Sequence, residues 1–116
     1  MAVVTTIDVH GMTEEEYARV MNRLGVEQNP AAGIYLHMTA ATQFGFRVIE
    51  IWDSADEFQI FLADRLAKAA EAERIERDMR ITVEPLHNFF APRLDELPGL
   101  VPGLAGGPQQ RNAPRG

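Results

Sequence analysis

The chain has 116 residues, of which 46% are hydrophobic and 24% charged, with a formal net charge of −6 and no cysteine. These values fit one globular domain with a modest core, and they exclude disulfides, thiolate metal sites and a cysteine nucleophile. No cluster of lysine and arginine offers a surface for nucleic acid, no apolar run could span a membrane, and the N-terminus lacks the pattern of a signal peptide. We therefore expect a cytoplasmic protein that binds neither nucleic acid nor membrane.

The first quarter of the chain predicts a strand followed by a helix. Residues 3–10 (VVTTIDVH) are rich in β-branched side chains and alternate roughly in polarity, as strands do. Thr13 and Glu16 have the spacing of a capping box, and Gly25 is placed to end the helix. The apolar face between them has helical spacing and consists of Tyr17, Val20, Met21 and Leu24.

The middle of the chain predicts a hairpin and a second helix. Residues 34–42 and 46–53 are two strands separated by a tight connection, so we expect them to pair. Ser54 and Glu57 form a second capping-box pattern, which starts a long helix from Ala55 to about Asp78. A fourth strand is predicted over residues 80–90, where Pro85 indicates an edge position or a bulge.

The resulting order, β-α-β-β-α-β, predicts an α+β ferredoxin-like fold for residues 1–91. Right-handed connections then give a four-stranded antiparallel sheet in the order 4-1-3-2, with both helices on one face. The third strand is apolar on both faces, with Val48 and Trp52 on one and Ile49 and Ile51 on the other. Because a bare apolar sheet face is costly in water, we expect a homodimer that packs sheet against sheet as a dimeric α/β barrel.

Residues 92–116 form a tail of different composition. This segment holds five of the seven prolines and five of the nine glycines, which excludes a regular helix or strand. We expect its last ten residues to be disordered. The LPGLVPGL stretch keeps four apolar side chains, so it is either a plain tail or a segment that packs on the partner subunit or over a pocket.

Four stretches of the sequence resemble a known superfamily. DVHGMTEEEY, GIYLHMTA, GFRVIEIWDSADEFQIF and PLHNFF are similar to small dimeric α/β-barrel proteins of actinobacterial type. This superfamily contains antibiotic-biosynthesis monooxygenases, EthD-like proteins and related heme-degrading enzymes. The resemblance covers residues 3–90 and implies the dimeric barrel fold. For activity it implies a cofactor-independent oxygenase, a cyclase or isomerase of polyketide pathways, or a protein without catalysis.

We expect no cofactor. The heme-degrading branch relies on an Asn, a Trp and a His in fixed places, whereas the second predicted helix contains no histidine and Asn22 lies on the first helix. The sequence has no glycine-rich phosphate loop, no dinucleotide fingerprint and no nucleophile-elbow serine. Nicotinamide, flavin and nucleotide chemistry therefore have no support in the sequence.

Two charged residues in apolar surroundings are candidates for catalysis. Arg65 falls near the middle of the apolar stripe of the second helix, and Glu50 shares a strand face with Val48 and Trp52. A buried arginine needs a partner, so we expect an Arg65–Glu50 ion pair, with Asp8 as another possible partner for Arg65. The pair is either purely structural or a site at which Arg65 binds a substrate oxyanion and Glu50 holds it. The other alternative is that the stem of Arg65 packs in the core while its guanidinium reaches solvent.

His37 is the candidate general base, and the alternative is a histidine at the dimer interface with a satisfied hydrogen bond. It lies in mid-strand between Tyr35 and Thr39, which places three polar side chains on one strand face. His87 is a candidate for the pocket mouth. We expect no metal site, because the second and fourth strands are opposite edges of the sheet and no closely spaced ligand motif is present.

Aromatic residues are the candidates for a substrate pocket between helices and sheet. Tyr17 is central on the first helix, Trp52 ends the third strand, and Phe61 belongs to the apolar stripe of the second helix. Together with Tyr35 and His87 they predict the binding of a polycyclic or polyketide-like ligand. The sequence thus favours a cofactor-independent monooxygenase or cyclase/isomerase, and the alternative is a non-catalytic dimeric ligand-binding or accessory protein.

Overall fold

The computed structural model of the protein describes residues 1–102. Its strands are β1 (Val3–His10), β2 (Ile34–Thr42), β3 (Gly45–Trp52) and β4 (Met79–Pro85), and its first helix is α1 (Glu14–Leu24). The second helical segment consists of α2 (Ala55–Phe61), a π-helical turn (Leu62–Leu66) and α3 (Ala67–Ala72). A 3₁₀ helix spans Leu94–Leu100.

The strands form one antiparallel sheet in the order β2-β3-β1-β4, which confirms the predicted ferredoxin-like topology. β3 and β1 are central, so the strand that carries Glu50 is hydrogen-bonded on both sides. The hairpin between β2 and β3 turns at Gln43 and Phe44, and Gly45, the first residue of β3, has a φ of +145°. A Cβ atom at this position would collide with the carbonyl oxygen of Val9, so the close approach of β1 to the hairpin requires glycine.

The core lies between the sheet and the helices. In β1 and β3 every second side chain is buried, and these side chains pack with two phenylalanines of the second helical segment. The main core cluster is formed by Val3, Ile7, Val9, Val48, Trp52, Phe58 and Phe61. Glu50 shares this buried face with Val48 and Trp52, as the alternation along the strand predicts.

Helix α1 begins and ends where the sequence indicates. Thr13 and Glu16 form the reciprocal capping box, and Gly25 ends the helix in the left-handed conformation, with its N–H donating to the carbonyl of Met21. At the start of α2 the hydroxyl of Ser54 accepts a hydrogen bond from the N–H of Glu57.

The second helical segment is shorter than predicted, because it ends at Ala72 and not near Asp78. Arg74 adopts a left-handed φ of 59°, and the N–H groups of Arg74 and Ile75 donate to the carbonyls of Glu71 and Ala70. This is a Schellman termination without glycine. Ile75 is buried in the second core cluster, so burial of this side chain accompanies the end of the helix.

The fourth strand is also shorter than predicted, since it ends at Pro85 on the sheet edge. Beyond it, the chain carries apolar side chains that remain exposed in one copy of the protein: Phe89, Phe90, Leu94, Leu97, Leu100 and Val101. The residues predicted to be disordered lie outside the described part of the chain.

The sheet face opposite the helices, called here the open face, is apolar at its centre. Its apolar residues lie on three neighbouring strands and are Val4, Leu36, Met38, Ile49 and Ile51. Met38 is 52% exposed. No helix within residues 1–102 is both long enough and apolar enough to cross a membrane.

Candidate active site

A buried carboxylate organises the candidate site. Glu50 is only 3% exposed, and each of its oxygen atoms has a partner. Trp52 Nε1–H donates to Oε1 at 2.9 Å, and His37 Nδ1 lies 2.8 Å from Oε2. His37 is the register partner of Glu50 on β2, so the pairing of the hairpin places the two side chains side by side. These bonds compensate the burial of the charge.

The chain of hydrogen bonds continues from His37 to α1. Tyr17 Oη lies 2.9 Å from His37 Nε2, and the hydroxyl of Thr39 lies 3.4 Å from Tyr17 Oη. With Glu50 as a carboxylate, a neutral His37 carries its hydrogen on Nδ1, because a carboxylate can only accept. Nε2 is then the acceptor for the phenol. The arrangement orients an imidazole through a carboxylate and leaves its second nitrogen basic.

Packing holds the Tyr17 ring in place. It stacks on Phe46, with ring centroids 5.0 Å apart and an interplanar angle of 10°. Burial raises the pKa of the Tyr17 phenol above its ordinary value, and the negative charge of Glu50 acts in the same direction, while the hydrogen bond from Thr39 opposes them. Tyr17 is therefore a protonated hydrogen-bond donor at neutral pH.

These polar groups border an apolar cavity of about 190 Å³ between α1, the second helical segment and the sheet. Four polar side chains line it: Tyr17, His37, Glu50 and Arg77. The rest of the wall is apolar and consists of Ile7, Val9, Met12, Val20, Met21, Leu24, Val26, Ala31, Ile34, Val48, Phe61, Leu62, Leu66, Ala67, Ala70, Ile75 and Met79. A cavity of roughly 150 Å³ can hold benzene, so this one suits a ligand of one or two rings.

The predicted Arg65–Glu50 ion pair is wrong. Arg65 Nη2 donates to the backbone carbonyls of Leu24 and Asn29, at 2.9 and 3.0 Å, and Arg65 is not among the residues that line the cavity. The π-helical turn changes the phase of the helix at this point, so a projection at a constant 100° per residue misplaces the side chain. Asp8, the other partner considered, is bonded to Arg47 on the open face.

Three of the predicted pocket residues also lie outside the cavity lining. A bulge between Ile34 and Leu36 removes Tyr35 from the face of His37 and Thr39, and its hydroxyl donates to Asp53 at 2.6 Å. Trp52 is fully buried behind Glu50, where it packs against Phe58 and Phe61. His87 is exposed beyond β4.

The structure brings Tyr17, His37, Glu50 and Phe61 together at one cavity, and their catalytic or binding roles stay predictions. It also adds two residues that the sequence reading did not assign to a site. Arg77 lines the cavity, and Glu16 holds Arg77 through two hydrogen bonds. The capping-box pattern was the only sequence signal at Glu16. Arg77 was missed because the second helix was predicted to continue to about Asp78, which made Arg77 a helix residue.

The described residues contain no group of three or more histidine, aspartate or glutamate side chains placed to hold a metal ion. The site itself offers a ligand three groups: a basic imidazole nitrogen, a carboxylate behind it and a phenol beside it. In an apolar cavity such a set can accept a proton from an acidic ligand group and stabilise the resulting charges.

No protein-family model matches this chain, and no curated protein sequence matches it. Solved structures share its fold. SnoaB, a cofactor-independent oxygenase from Streptomyces nogalater, matches with a TM-score of 0.54 and 19% identity over 77% of this chain and 94% of its own. A candidate antibiotic biosynthesis monooxygenase from Deinococcus radiodurans matches with a TM-score of 0.53 and 20% identity, over 78% and 97% of the two chains.

A dimeric ferredoxin-like protein of unknown function from Thermobifida fusca also matches, with a TM-score of 0.54 and 15% identity over 74% of this chain and 92% of its own. At these identities the likeness establishes the fold alone. The resemblance predicted from the sequence is thus confirmed for the fold: the chain has the ferredoxin-like fold of antibiotic-biosynthesis-monooxygenase-like and dimeric ferredoxin-like proteins.

Proposed function

We propose that this protein is a cofactor-independent enzyme in which His37 removes a proton from a small aromatic or polyketide-like substrate. The observation that carries the proposal is the hydrogen-bonded chain from Trp52 through Glu50 and His37 to Tyr17, which ends at an apolar cavity. A residue held in this way is positioned for general base catalysis, and the apolar walls suit a flat ligand.

The proton transfer begins when an acidic group of the substrate replaces Tyr17 Oη as the partner of His37 Nε2. The substrate gives its proton to Nε2, its bonding electron pair stays on the substrate, and Glu50 stabilises the imidazolium. Phe61 contributes an apolar wall, and Tyr17, displaced from Nε2, is able to donate to a substrate oxygen.

Two reaction classes can follow from the deprotonated substrate. In a cyclase or isomerase, the carbanion or enolate attacks within the molecule or is protonated at another atom. In a monooxygenase, molecular oxygen converts a methylene carbon to a carbonyl, and its second oxygen atom leaves as water. The second class is favoured by the fold shared with SnoaB, described as a cofactor-independent oxygenase.

The test follows binding and turnover of monocyclic and bicyclic phenols and ketones, in air and without oxygen. We expect turnover in the wild type, a loss of about a hundredfold or more in the rate of His37→Gln, and a smaller loss in Glu50→Gln. Tyr35→Phe is the matched control, because Tyr35 bonds Asp53 outside the cavity lining. Turnover that persists in His37→Gln would overturn the proposal.

The alternative is a non-catalytic ligand-binding or accessory protein. It is favoured by the position of Tyr17 Oη, which occupies Nε2 in this structure. Ligands that bind in the cavity but are released unchanged, with and without oxygen, support this alternative.

We further propose that the protein is a cytoplasmic homodimer, in which the open faces of two copies pack together and residues 92–102 contact the partner. The location rests on the cysteine-free sequence. The dimer rests on the apolar open face, where Met38 is exposed and the other apolar side chains are half-buried, and on the exposed apolar side chains after β4. The domain boundary at residue 91 belongs to the same proposal, since residues 1–91 contain the whole sheet and both helical segments.

A further inference from the structure

The cavity has a second polar end, formed by Arg77. Arg77 lies two residues before the start of β4, whereas His37 belongs to β2. These strands are the two edges of the sheet, three strand spacings or about 14 Å apart. Both side chains line the same cavity, which is otherwise apolar between them except beside Tyr17 and Glu50. A ligand that fills the cavity lengthwise therefore meets a polar group at each end.

Arg77 has hydrogen-bond donors to spare. Its Nε and Nη2 atoms donate to the carboxylate of Glu16, at 3.1 and 2.9 Å. A guanidinium has five N–H donors, so this contact leaves the Nη1 edge for another partner. Nη1 lies beside Gly11, only 3.1 Å from where a Cβ atom would be, so the lack of a side chain at Gly11 makes room for it.

Glu16 neutralises the positive charge of Arg77 only in part. Its carboxylate also accepts a hydrogen bond from the N–H of Thr13 and lies in the first turn of α1, where the helix dipole stabilises negative charge. Because the Glu16 carboxylate is also stabilised by these groups, its contact with Arg77 leaves the guanidinium able to bind a second anion.

We infer that Arg77 is a second recognition residue, and that the ligand is a flat aromatic hydroxy acid whose carboxylate binds Arg77 while its hydroxyl meets His37. The inference rests on the proposed function, because it names the substrate class of the same cavity. The planar fork of arginine matches a carboxylate with two parallel hydrogen bonds. In an apolar cavity a carboxylate without such a partner is strongly disfavoured, so Arg77 selects for it.

The experiment compares two fluorescent probes of the same ring system, 2-naphthol and 6-hydroxy-2-naphthoic acid. We expect the wild type to bind the acid about tenfold more tightly, the effect of one charge-assisted hydrogen bond. Arg77→Met should remove this preference and leave the affinity for 2-naphthol within about twofold. The matched control is Arg47→Met, because Arg47 bonds Asp8 in the same way on the open face.

A second variant separates recognition from a structural role. Glu16→Gln releases Arg77 from its carboxylate, so the acid should bind still more tightly while 2-naphthol is unaffected. If the Glu16–Arg77 pair only fastens α1, both Glu16→Gln and Arg77→Met should weaken both probes equally, and the inference would be wrong.

The outcomes also separate this inference from the proposed function. Equal binding of both probes by the wild type overturns the role of Arg77 and leaves the cavity and His37 intact. Failure of the wild type to bind either probe overturns both. Circular dichroism of each variant shows that the fold is retained, and a variant that fails to fold is replaced by Arg77→Lys, for which a reduced preference for the acid is expected.

Discussion

Glu50 is an acidic residue in an apolar central strand, and its hydrogen bonds explain why it is tolerated there. The side chain is buried because strand alternation directs it toward the helices, and it is tolerated there because Trp52 and His37 supply a donor for each oxygen. Its effect is on His37, whose Nδ1–H it fixes. Burial of the Glu50 charge would by itself destabilise the fold, but here its hydrogen bond orients the candidate base, His37.

Tyr17 gives a prediction that depends on pH. Its pKa is raised in the folded protein, chiefly by burial, so the folded state binds the phenolic proton more tightly than the unfolded chain does. The stability linked to Tyr17 is therefore complete below about pH 10, the ordinary pKa of tyrosine, and is lost as the pH rises through the raised value.

The measurement is an ultraviolet titration of the phenolate in Tyr35→Phe, in which Tyr17 is the remaining tyrosine of the two in the chain. We expect a midpoint above 10, with the free energy of unfolding falling over the same range. The control is Tyr17→Phe, in which the titration reports Tyr35, whose pKa is raised by the hydrogen bond to Asp53. A midpoint for Tyr17 at or below the ordinary value contradicts the buried, bonded phenol.

At the scale of elements, the π-helical turn decides what the second helical segment presents to its neighbours. Residues before and after the turn line the cavity, including Phe61 and Ala67, while Arg65 points toward the end of α1. The carbonyl of Leu24 belongs to the last residue of α1, where carbonyls lack helical partners and the dipole favours a cation. Arg65 therefore ties the second helical segment to the end of α1.

Arg65→Met should lower the free energy of unfolding by about 1–2 kcal/mol, because two backbone carbonyls lose a charged donor. The measurement is denaturant unfolding. Lys68→Met is the matched control and should change stability little, since Lys68 is an exposed cation on the same helical segment. The affinity for 2-naphthol should stay unchanged. A large loss of affinity at unchanged stability would restore the anion-binding role that the sequence predicted for Arg65.

On the scale of the whole molecule, the apolar open face is the feature that a single copy leaves unexplained. Three neighbouring strands contribute to it, and the apolar side chains that follow β4 are exposed. Self-association of two sheets would bury both sets in one symmetric contact. The charged pair Asp8–Arg47 lies on the same face and would stand at the rim of such a contact.

If the open faces pair as proposed, Ile49→Glu should leave the protein monomeric, because the new carboxylate would be buried in the centre of the contact. The mass in solution, measured by light scattering, tests this. Ile60→Glu is the matched control: Ile60 is 57% exposed on the helical side of the molecule and should leave the dimer intact. A chain that ends at Pro92 should form a weaker dimer. A monomeric wild type, or unchanged assembly and ligand affinity in the shortened chain, would contradict the proposal.

The sequence by itself determined the elements and their order. Capping residues, glycines and the alternation of strand residues are local signals, so α1, the hairpin and the burial of Glu50 beside Trp52 could all be predicted. The sheet order followed from the handedness of the connections. His37 and Glu50 were identified as candidates because polar side chains are unusual at these strand positions. Tyr17 and Phe61 were identified because they lie on the apolar faces of the two predicted helices.

Only the tertiary structure decided which candidates meet. The partner of Glu50 is His37 and not Arg65. His37 is placed there by strand register, which depends on contacts between distant segments. Arg65 is turned away by a π-helical turn, which changes the direction of the helix side chains and has no local sequence signal. Two further features have no local sequence signal. One is the bulge that turns Tyr35 away from the face of His37, and the other is the end of the helix before Arg74 without a glycine. Each depends on packing against another element, which a linear sequence does not display.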